Sequence, residues 1–181
     1  MAKRLEGRIM RKQDKDRNGK PEALLWLDFE TTGTDRNDSL PLEVGMECTD
    51  VLGEHSYGSL RRIIRPDYLD LLDGSAHDDC VDAVANAVEE YLDSLSQRFT
   101  LVPAGTNVDF DIDFPKRLDL APDRWLSYRK FDLTTLRRYL RFIDCPEDPY
   151  EGHRGSHRVR DCIRRDINDY IRYRTLLKKT W

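Results

Sequence analysis

The sequence predicts an α/β fold in which helices flank a mixed five-stranded sheet. The first observation is a change of hydrophobic period: apolar residues run continuously or alternate up to residue 65, and recur at helical spacing from residue 78. The second is that strand patterns alternate with helical patterns from there on, as is typical of a sheet covered by helices. The predicted order is three strands, a helix, a strand, a helix, a strand and two helices.

Three strand patterns open the fold and suggest an antiparallel meander. An apolar run begins at Ala23, residues 42–48 alternate between apolar and other side chains, and residues 59–65 form a weaker third pattern. Before them, residues 1–22 are rich in Lys and Arg and end in a turn-like segment. We therefore expect a basic, loosely ordered N-terminal extension over 1–22, and a single domain over 23–181.

The remaining elements are recognised by their period and by the residues at their ends. Acidic residues precede the first helical pattern, where they favour the positive end of the helix dipole. The predicted elements are a helix over 78–95, a strand over 99–102, a helix over 107–120, a strand over 129–133, a helix over 134–142 and a final helix over 158–177.

Composition excludes several classes of protein. No apolar stretch approaches the roughly 20 residues that cross a bilayer, and no secretory signal follows the basic N-terminus, so we expect a cytoplasmic protein without a membrane partner. The four cysteines are scattered without a Cys-x-x-Cys pair and are expected to be free thiols. A net charge of -4 is not typical of nucleic-acid binders, although basic residues concentrate in 3–20 and 154–179.

Two acids interrupt the end of the first apolar run. Asp28 and Glu30 are two residues apart, so a strand places them side by side on one face. An isolated pair of this kind is most often a solvated strand end. Here the acids follow a core-like run, where unpaired charge is costly, and further acids lie downstream. A divalent metal is the simplest counter-ion.

Two segments resemble the motifs of a known enzyme family. Residues 28–33, Asp-Phe-Glu-Thr-Thr-Gly, resemble the first motif of the Asp-Glu-Asp-Asp-His 3′→5′ exonucleases, which have a ribonuclease H-like fold. Residues 107–114 match the second motif, Asn-x-x-Phe-Asp-x-x-Phe, which singles out Asp111 as the third carboxylate. The resemblance therefore implies a ribonuclease H-like mixed five-stranded sheet flanked by helices, with a nuclease site on it.

The third motif departs from the family. The family has His, four residues and then Asp, whereas only three residues separate His157 from Asp161, and Cys162 occupies the expected slot. The apolar register of the final helix agrees with Cys162 in that slot. We nevertheless expect Asp161 to be the fourth ligand after a one-residue loop adjustment, because carboxylate suits a hard cation better than thiolate does. His157 is the expected general base, and His153 is a weaker candidate.

Residues 128–136 resemble the oligoribonuclease branch most closely, through the pattern Tyr-Arg-x-x-Asp-x-x-Thr-Leu. In that branch the Tyr corresponding to Tyr128 reaches across a homodimer into the partner's active site. The resemblance thus implies a homodimer in which Tyr128 is functional. Composition alone would make Tyr128 a half-buried aromatic at a strand end.

The mechanism implied by the resemblance uses two divalent cations, Mg²⁺ or Mn²⁺, roughly 4 Å apart. Four carboxylates would hold them, and His157 would take a proton from the attacking water. The expected metal ligands are Asp28, Glu30, Asp111 and Asp161, and the expected substrate contacts are Phe29, Thr31, Asn107 and Tyr128, with Tyr68 a further candidate for stacking on a base.

Three functions stay open from the sequence. The first is a 3′→5′ exoribonuclease that degrades short RNA to 5′-mononucleotides. The second is a proofreading-type exonuclease on single-stranded DNA, favoured by Thr31-Thr32-Gly33 because oligoribonucleases usually carry Met-Thr-Gly there. The third is a nucleic-acid binding module in which Cys162 has displaced the last metal ligand.

Overall fold

The computed structural model describes residues 19–65, 80–145 and 158–180. These segments contain a five-stranded sheet with the strand order β3-β2-β1-β4-β5. The strands are β1 (Glu22–Thr31), β2 (Pro41–Thr49), β3 (Ser56–Ile63), β4 (Thr100–Gly105) and β5 (Phe131–Asp132). The helices are α1 (Val81–Ser96), α2 (Val108–Asp113), α3 (Leu133–Phe142) and α4 (Val159–Thr180).

The sheet is mixed, as the sequence predicts. β1, β2 and β3 pair antiparallel as a meander, whereas β4 runs parallel to both β1 and β5. β1 is therefore the central strand, with an antiparallel neighbour on one side and a parallel neighbour on the other. The predicted α/β class and five-stranded mixed sheet are confirmed.

Both faces of β1 are buried, which explains its continuous apolar run. Leu25 and Leu27 point into a core that includes α1, while Leu24 and Trp26 point to the opposite face, against residues of α3 and α4. Because side chains alternate along a strand, the even-numbered acids of β1 continue the second face. The first helix and the last two helices thus cover opposite sides of the sheet.

Several elements are shorter than predicted. The helix expected over 107–120 ends at Asp113 and continues as a 3₁₀ helix over Phe114–Leu118. Pro115 explains the change, since it has no N–H to donate to the carbonyl four residues earlier. β5 has two residues instead of the expected five, because it pairs with β4 only at Ala104 and Gly105.

The predicted N-terminal extension lies mostly outside the described residues, which begin at residue 19. Near its end, Lys20 Nζ donates to the carbonyl of Ser96 at 2.7 Å, and Pro21 accepts a hydrogen bond from the N–H of Thr100 at 2.9 Å. The chain is therefore attached to β4 and to the end of α1 just before β1 begins. Across the described part of the chain, no helix is both long and apolar enough to cross a bilayer.

α4 approaches the sheet closely where β2 carries a glycine. Gly45 pairs with Asp28 across the ladder, and a Cβ at Gly45 would lie 2.7 Å from Val159 Cβ. Arg158, just before the helix, also bonds to the buried Glu43 of β2, with Nε 2.8 Å from Oε2. Glycine and this ion pair together bring the start of α4 against the end of β1.

Gly45→Ala should destabilise the protein by about 1–3 kcal/mol, because the added methyl group overlaps Val159 and pushes α4 away from the sheet. Urea unfolding measures the change. The cost should shrink in a background carrying Val159→Gly, which removes the opposing Cβ. Equal stability of Gly45→Ala and the parent would contradict this packing.

Candidate active site

Asp28 and Glu30 lie where β1 loses its parallel neighbour. The pairing of β1 with β4 ends at Trp26 and Ala104, two residues before Asp28. β4 ends one residue later, at Gly105, so the two acids lie at the carboxyl end of the parallel strands, the usual place for sites in α/β proteins. We call this region the crevice. Both acids face α4 and are partly buried.

Asp111 reaches the same crevice from α2. Its Oδ1 accepts the backbone N–H of Phe29 at 3.0 Å, so the carboxylate satisfies a donor of β1 beyond the last residue paired with β4. The turn into α2 passes through Asn107 in the left-handed conformation, with φ of 58°. The Asp111 side chain is 4% exposed.

The neighbouring acids of α2 point away from the crevice. Asp109 is ion-paired with Lys130, and Asp113 with Arg36 at 2.7 Å and Lys116 at 2.9 Å. Their side chains are 59% and 35% exposed. Of the three acids in the motif, Asp111 alone faces inward, which agrees with its choice from the sequence.

Cys162 completes the cluster. Its Sγ lies 3.8 Å from Glu30 Oε1, and one ligand atom from each of Asp28, Glu30 and Cys162 falls within 4.8 Å of the others. The cysteine side chain is buried, and burial followed by the charge of Asp28 raises the pKa of its thiol to about 12. Cys162 is therefore a neutral thiol in the metal-free protein.

The expectation that Asp161 turns toward these acids is wrong for this structure, in which Asp161 is exposed. Consecutive helix residues point about 100° apart, so only one of Asp161 and Cys162 can face β1. Val159 and Ile163 are buried against the sheet. That packing fixes the register and directs Cys162 inward.

The sequence did not identify Asp166, which lies one turn after Cys162 on α4. Its carboxylate accepts the N–H and the hydroxyl of Thr106 at 2.7 and 2.8 Å. Arg137 donates to Thr106 Oγ1 at 2.8 Å and to Asp169 at 2.7 Å. Asp166 thus holds the turn between β4 and α2, and the i, i+4 spacing from Cys162 was the available signal.

Crowding of buried acids dominates the electrostatics of the crevice. Burial, then the charges of Glu30 and Asp166, raise the pKa of Asp28 from 3.8 to about 7, although Cys162 and Arg165 act in the opposite direction. Burial and Asp28 raise the pKa of Asp111 to about 8, opposed by the hydrogen bond from Phe29. In the metal-free protein the pKa of each of these two acids therefore lies at or above neutrality.

The other predicted site residues fall into two groups. His157, His153 and Tyr68 lie outside the described residues, so their roles stay predictions. Thr31 Oγ1 donates to the carbonyl of Gly33 at 2.6 Å. Tyr128 is 81% exposed, and the Arg129 guanidinium lies 5.3 Å from its ring centroid.

Phe29 corrects a second expectation, that this residue contacts the substrate through its ring. Its side chain is 5% exposed and lies 5.7 Å, centroid to centroid, from the Phe114 ring in the α1-side core. Alternation along β1 puts Phe29 on the face opposite its acidic neighbours. Its ring cannot stack on a base from there, whereas its backbone N–H supports Asp111.

The carboxylates fit a divalent cation, and one of their oxygen atoms has no hydrogen-bond partner among the described residues. Asp28 Oδ2 is buried and has no hydrogen-bond partner among the described residues, which is costly unless something else binds it. Oxygen ligands from Asp28, Glu30 and Asp111 suit Mg²⁺ or Mn²⁺. Cys162 does not suit Mg²⁺, because a thiol is a soft ligand.

Comparisons with known proteins agree with this architecture. No protein-family model matches the chain, and no curated protein matches its sequence. Among solved structures, exonuclease I from Methylocaldum szegediense superposes with a TM-score of 0.57 and 18% identity, covering 84% of this chain and 41% of its own. A zinc-bound complex of E. coli exonuclease I with single-stranded DNA gives 0.59 and 18%, covering 87% and 41%.

A further exonuclease I structure, described as suggesting how processivity is achieved, matches with a TM-score of 0.59 and 16% identity over 87% of this chain. The chain spans about two fifths of the length of these enzymes. At these identities the likeness establishes the fold, and it confirms the predicted ribonuclease H-like arrangement.

The metal-free protein should lose stability as the pH rises from about 5 to about 8. The folded state keeps protons on Asp28 and Asp111 up to pH values near 7 and 8, whereas the unfolded chain releases them near 3.8. Because the folded state then binds more protons, raising the pH favours unfolding. Thermal unfolding in the presence of a chelator measures this slope.

Asp111→Asn provides the control for this slope. The amide cannot ionise but can still accept the N–H of Phe29, so the melting temperature at pH 8 should rise and the pH dependence should flatten. Glu43 works in the opposite direction: burial would raise its pKa, but hydrogen bonds from Arg158 and Arg61 lower it, and its contribution is complete by about pH 5. A flat profile for the parent would contradict the proposed crowding.

Proposed function

We propose that this chain is a divalent-metal-dependent 3′→5′ exonuclease that acts on single-stranded nucleic acid. The observation that carries the proposal is the convergence of Asp28, Glu30 and Asp111 at the carboxyl end of β1, in a fold that superposes on exonuclease I. Buried acids with raised pKa values in a crevice are typical of catalytic sites. The fold alone would not support an activity.

The chain's own residues would divide the work as follows. Asp28, Glu30 and Asp111 would hold two divalent cations, and Asp166 would fix the turn that leads into α2, the helix that carries Asp111. Bound cations would supply Lewis-acid activation of the attacking water and stabilise charge on the leaving 3′-oxygen. His157, which precedes α4 in the sequence, remains our candidate for the general base.

The substrate we favour is single-stranded DNA, since the similar enzyme from E. coli is described in complex with it. Short RNA is the alternative, and it rests on the oligoribonuclease-like segment around Tyr128. Exposure of the Tyr128 ring beside Arg129 supports a role in stacking or in a contact between protomers. We extend this alternative to a homodimer in which Tyr128 of the partner subunit reaches the crevice.

A second function, a binding module with little catalysis, is favoured by Cys162. This residue contacts Glu30 where the resemblance implies a fourth carboxylate. Loss of a hard ligand weakens Mg²⁺ binding but leaves the nucleic-acid surface intact. Measured binding without hydrolysis would identify this function.

One assay separates these functions. Purified protein is incubated with 5′-labelled single-stranded DNA or a short RNA, with Mg²⁺ or Mn²⁺. A 3′→5′ exonuclease shortens the labelled strand stepwise and releases 5′-mononucleotides, and a 3′-phosphate blocks it. Binding of both the DNA and the RNA without shortening, in Mg²⁺ and in Mn²⁺, would favour the binding module.

Asp28→Ala and Glu30→Ala should each reduce hydrolysis by at least about a hundredfold, because each removes a metal ligand. Their melting temperatures in chelator should equal or exceed that of the parent, since each substitution also removes a repelling charge. Asp161→Ala, an exposed neighbour on α4, is the matched control and should stay within about twofold of the parent in turnover. Near-parental turnover of Asp28→Ala at saturating metal would refute the site.

Tyr128→Ala tests the oligoribonuclease-like alternative. Because the ring is exposed, the substitution should change the free energy of unfolding by less than about 0.5 kcal/mol. Hydrolysis of dinucleotides should fall much more than hydrolysis of longer DNA if Tyr128 contacts short substrates. Light scattering gives the oligomeric state, and a fully active monomer would exclude the inter-subunit role.

A further inference from the structure

We propose that the cluster of Asp28, Glu30 and Cys162 is a mixed carboxylate–thiolate site that selects a thiophilic divalent cation, such as Zn²⁺, over Mg²⁺. This inference rests on the proposed function, which requires a cation here, and it names the class of cation. The proposal concerns the cation position next to Cys162, where Asp111 would supply a further oxygen ligand.

The spacing of the ligand atoms fits such a cation. In a tetrahedral zinc site, bonds of about 2.3 Å to sulfur and 2.1 Å to oxygen place sulfur and oxygen roughly 3.6 Å apart. Cys162 Sγ and Glu30 Oε1 are 3.8 Å apart, and ligand atoms of all three residues lie within 4.8 Å of one another. Small side-chain movements would therefore close three ligands around one ion.

A separate observation points to a missing ligand at this place. Asp28 Oδ2 is buried and has no hydrogen-bond partner among the described residues, although it belongs to a carboxylate with a like charge beside it. The thiol thus lies at a place where an unsatisfied carboxylate oxygen is available for a cation.

Mg²⁺ fits this set poorly. It binds oxygen ligands in a near-ideal octahedron and does not favour thiolate, so Cys162 would occupy a ligand position without binding. Zn²⁺ accepts sulfur and carboxylate oxygen together and keeps a further position for water or a substrate oxygen.

Cadmium is the direct probe, because a cadmium–thiolate bond gives an ultraviolet charge-transfer band. Metal-free protein is titrated with Cd²⁺ and followed by absorption, and Zn²⁺ and Mg²⁺ are then tested as competitors. The comparison includes Cys162→Ser, Cys162→Ala and the control Cys145→Ser, which removes another partly buried free cysteine outside the cluster. Binding releases the thiol proton together with any protons held by Asp28 and Asp111, so calorimetry in two buffers should count about one proton fewer for Cys162→Ser than for the parent.

We expect a saturable band in the parent and in Cys145→Ser that is lost in Cys162→Ser and Cys162→Ala. Zn²⁺ should displace Cd²⁺ at a concentration at least about tenfold lower than Mg²⁺ requires. Cys162→Asp should lose the band and gain thermal stabilisation by Mg²⁺. A band that survives Cys162→Ser, or Mg²⁺ binding to the parent as tight as to Cys162→Asp, would overturn the proposal.

The two proposals fail in distinguishable ways. A Cys162-dependent band in a protein that hydrolyses neither DNA nor RNA would retain the cation site and reject the exonuclease. Mg²⁺-dependent hydrolysis that is unchanged in Cys162→Ser, together with no band in the parent, would retain the exonuclease and reject the thiophilic site.

Discussion

Asp28, Glu30 and Asp111 repel one another when they are ionised, and they lie at a place that water reaches poorly. This repulsion dominates the electrostatics of the crevice. Asp28 and Asp111 hold their protons to pH values near 7 and 8 because burial and mutual charge oppose ionisation. Only the hydrogen bond from Phe29 N–H partly offsets this for Asp111. The protein tolerates the cost because β1 is buried on both faces and anchors two apolar cores. The unfavourable ionisation of these acids is relieved when a cation binds to them.

The buried acids of the molecule divide into two kinds. Arg137 pairs with both Asp166 and Asp169, and Thr106 donates to Asp166, so these charges face donors of the protein itself, although burial still raises the pKa of Asp166. Among the described residues no arginine forms an ion pair with Asp28, Glu30 or Asp111, although the charge of Arg165 lowers the pKa of Asp28. Truncating one member of the first set would leave the remaining charges unpaired, whereas truncating a crevice acid relieves repulsion. This contrast separates acids that hold the fold from acids that can bind a ligand.

Close approach of α4 links packing to the chemistry of the crevice. Gly45 leaves room for Val159, and the ion pair between Arg158 and Glu43 holds the helix start in place. With that placement, Cys162 is the residue of α4 that meets Glu30. A neutral thiol there adds no negative charge to the crowded acids of the metal-free protein. A thiol in place of a carboxylate also weakens the binding of hard cations. The stability of the metal-free protein and its choice of metal are therefore coupled.

The sequence alone determined the class of fold and the strand carrying Asp28 and Glu30, because hydrophobic period is a property of neighbouring residues, and its resemblance to the second exonuclease motif pointed to Asp111. It did not find Asp166, whose partners are Thr106 in the turn after β4 and Arg137 of α3, and its expectation that the Phe29 ring contacts the substrate is wrong. It also favoured Asp161 from ligand chemistry, while leaving Cys162 open. Tertiary packing decided that choice, since the contact of Val159 and Ile163 with the sheet fixes the rotation of α4 about its axis, and a helix register once fixed can direct only one of two adjacent residues toward β1.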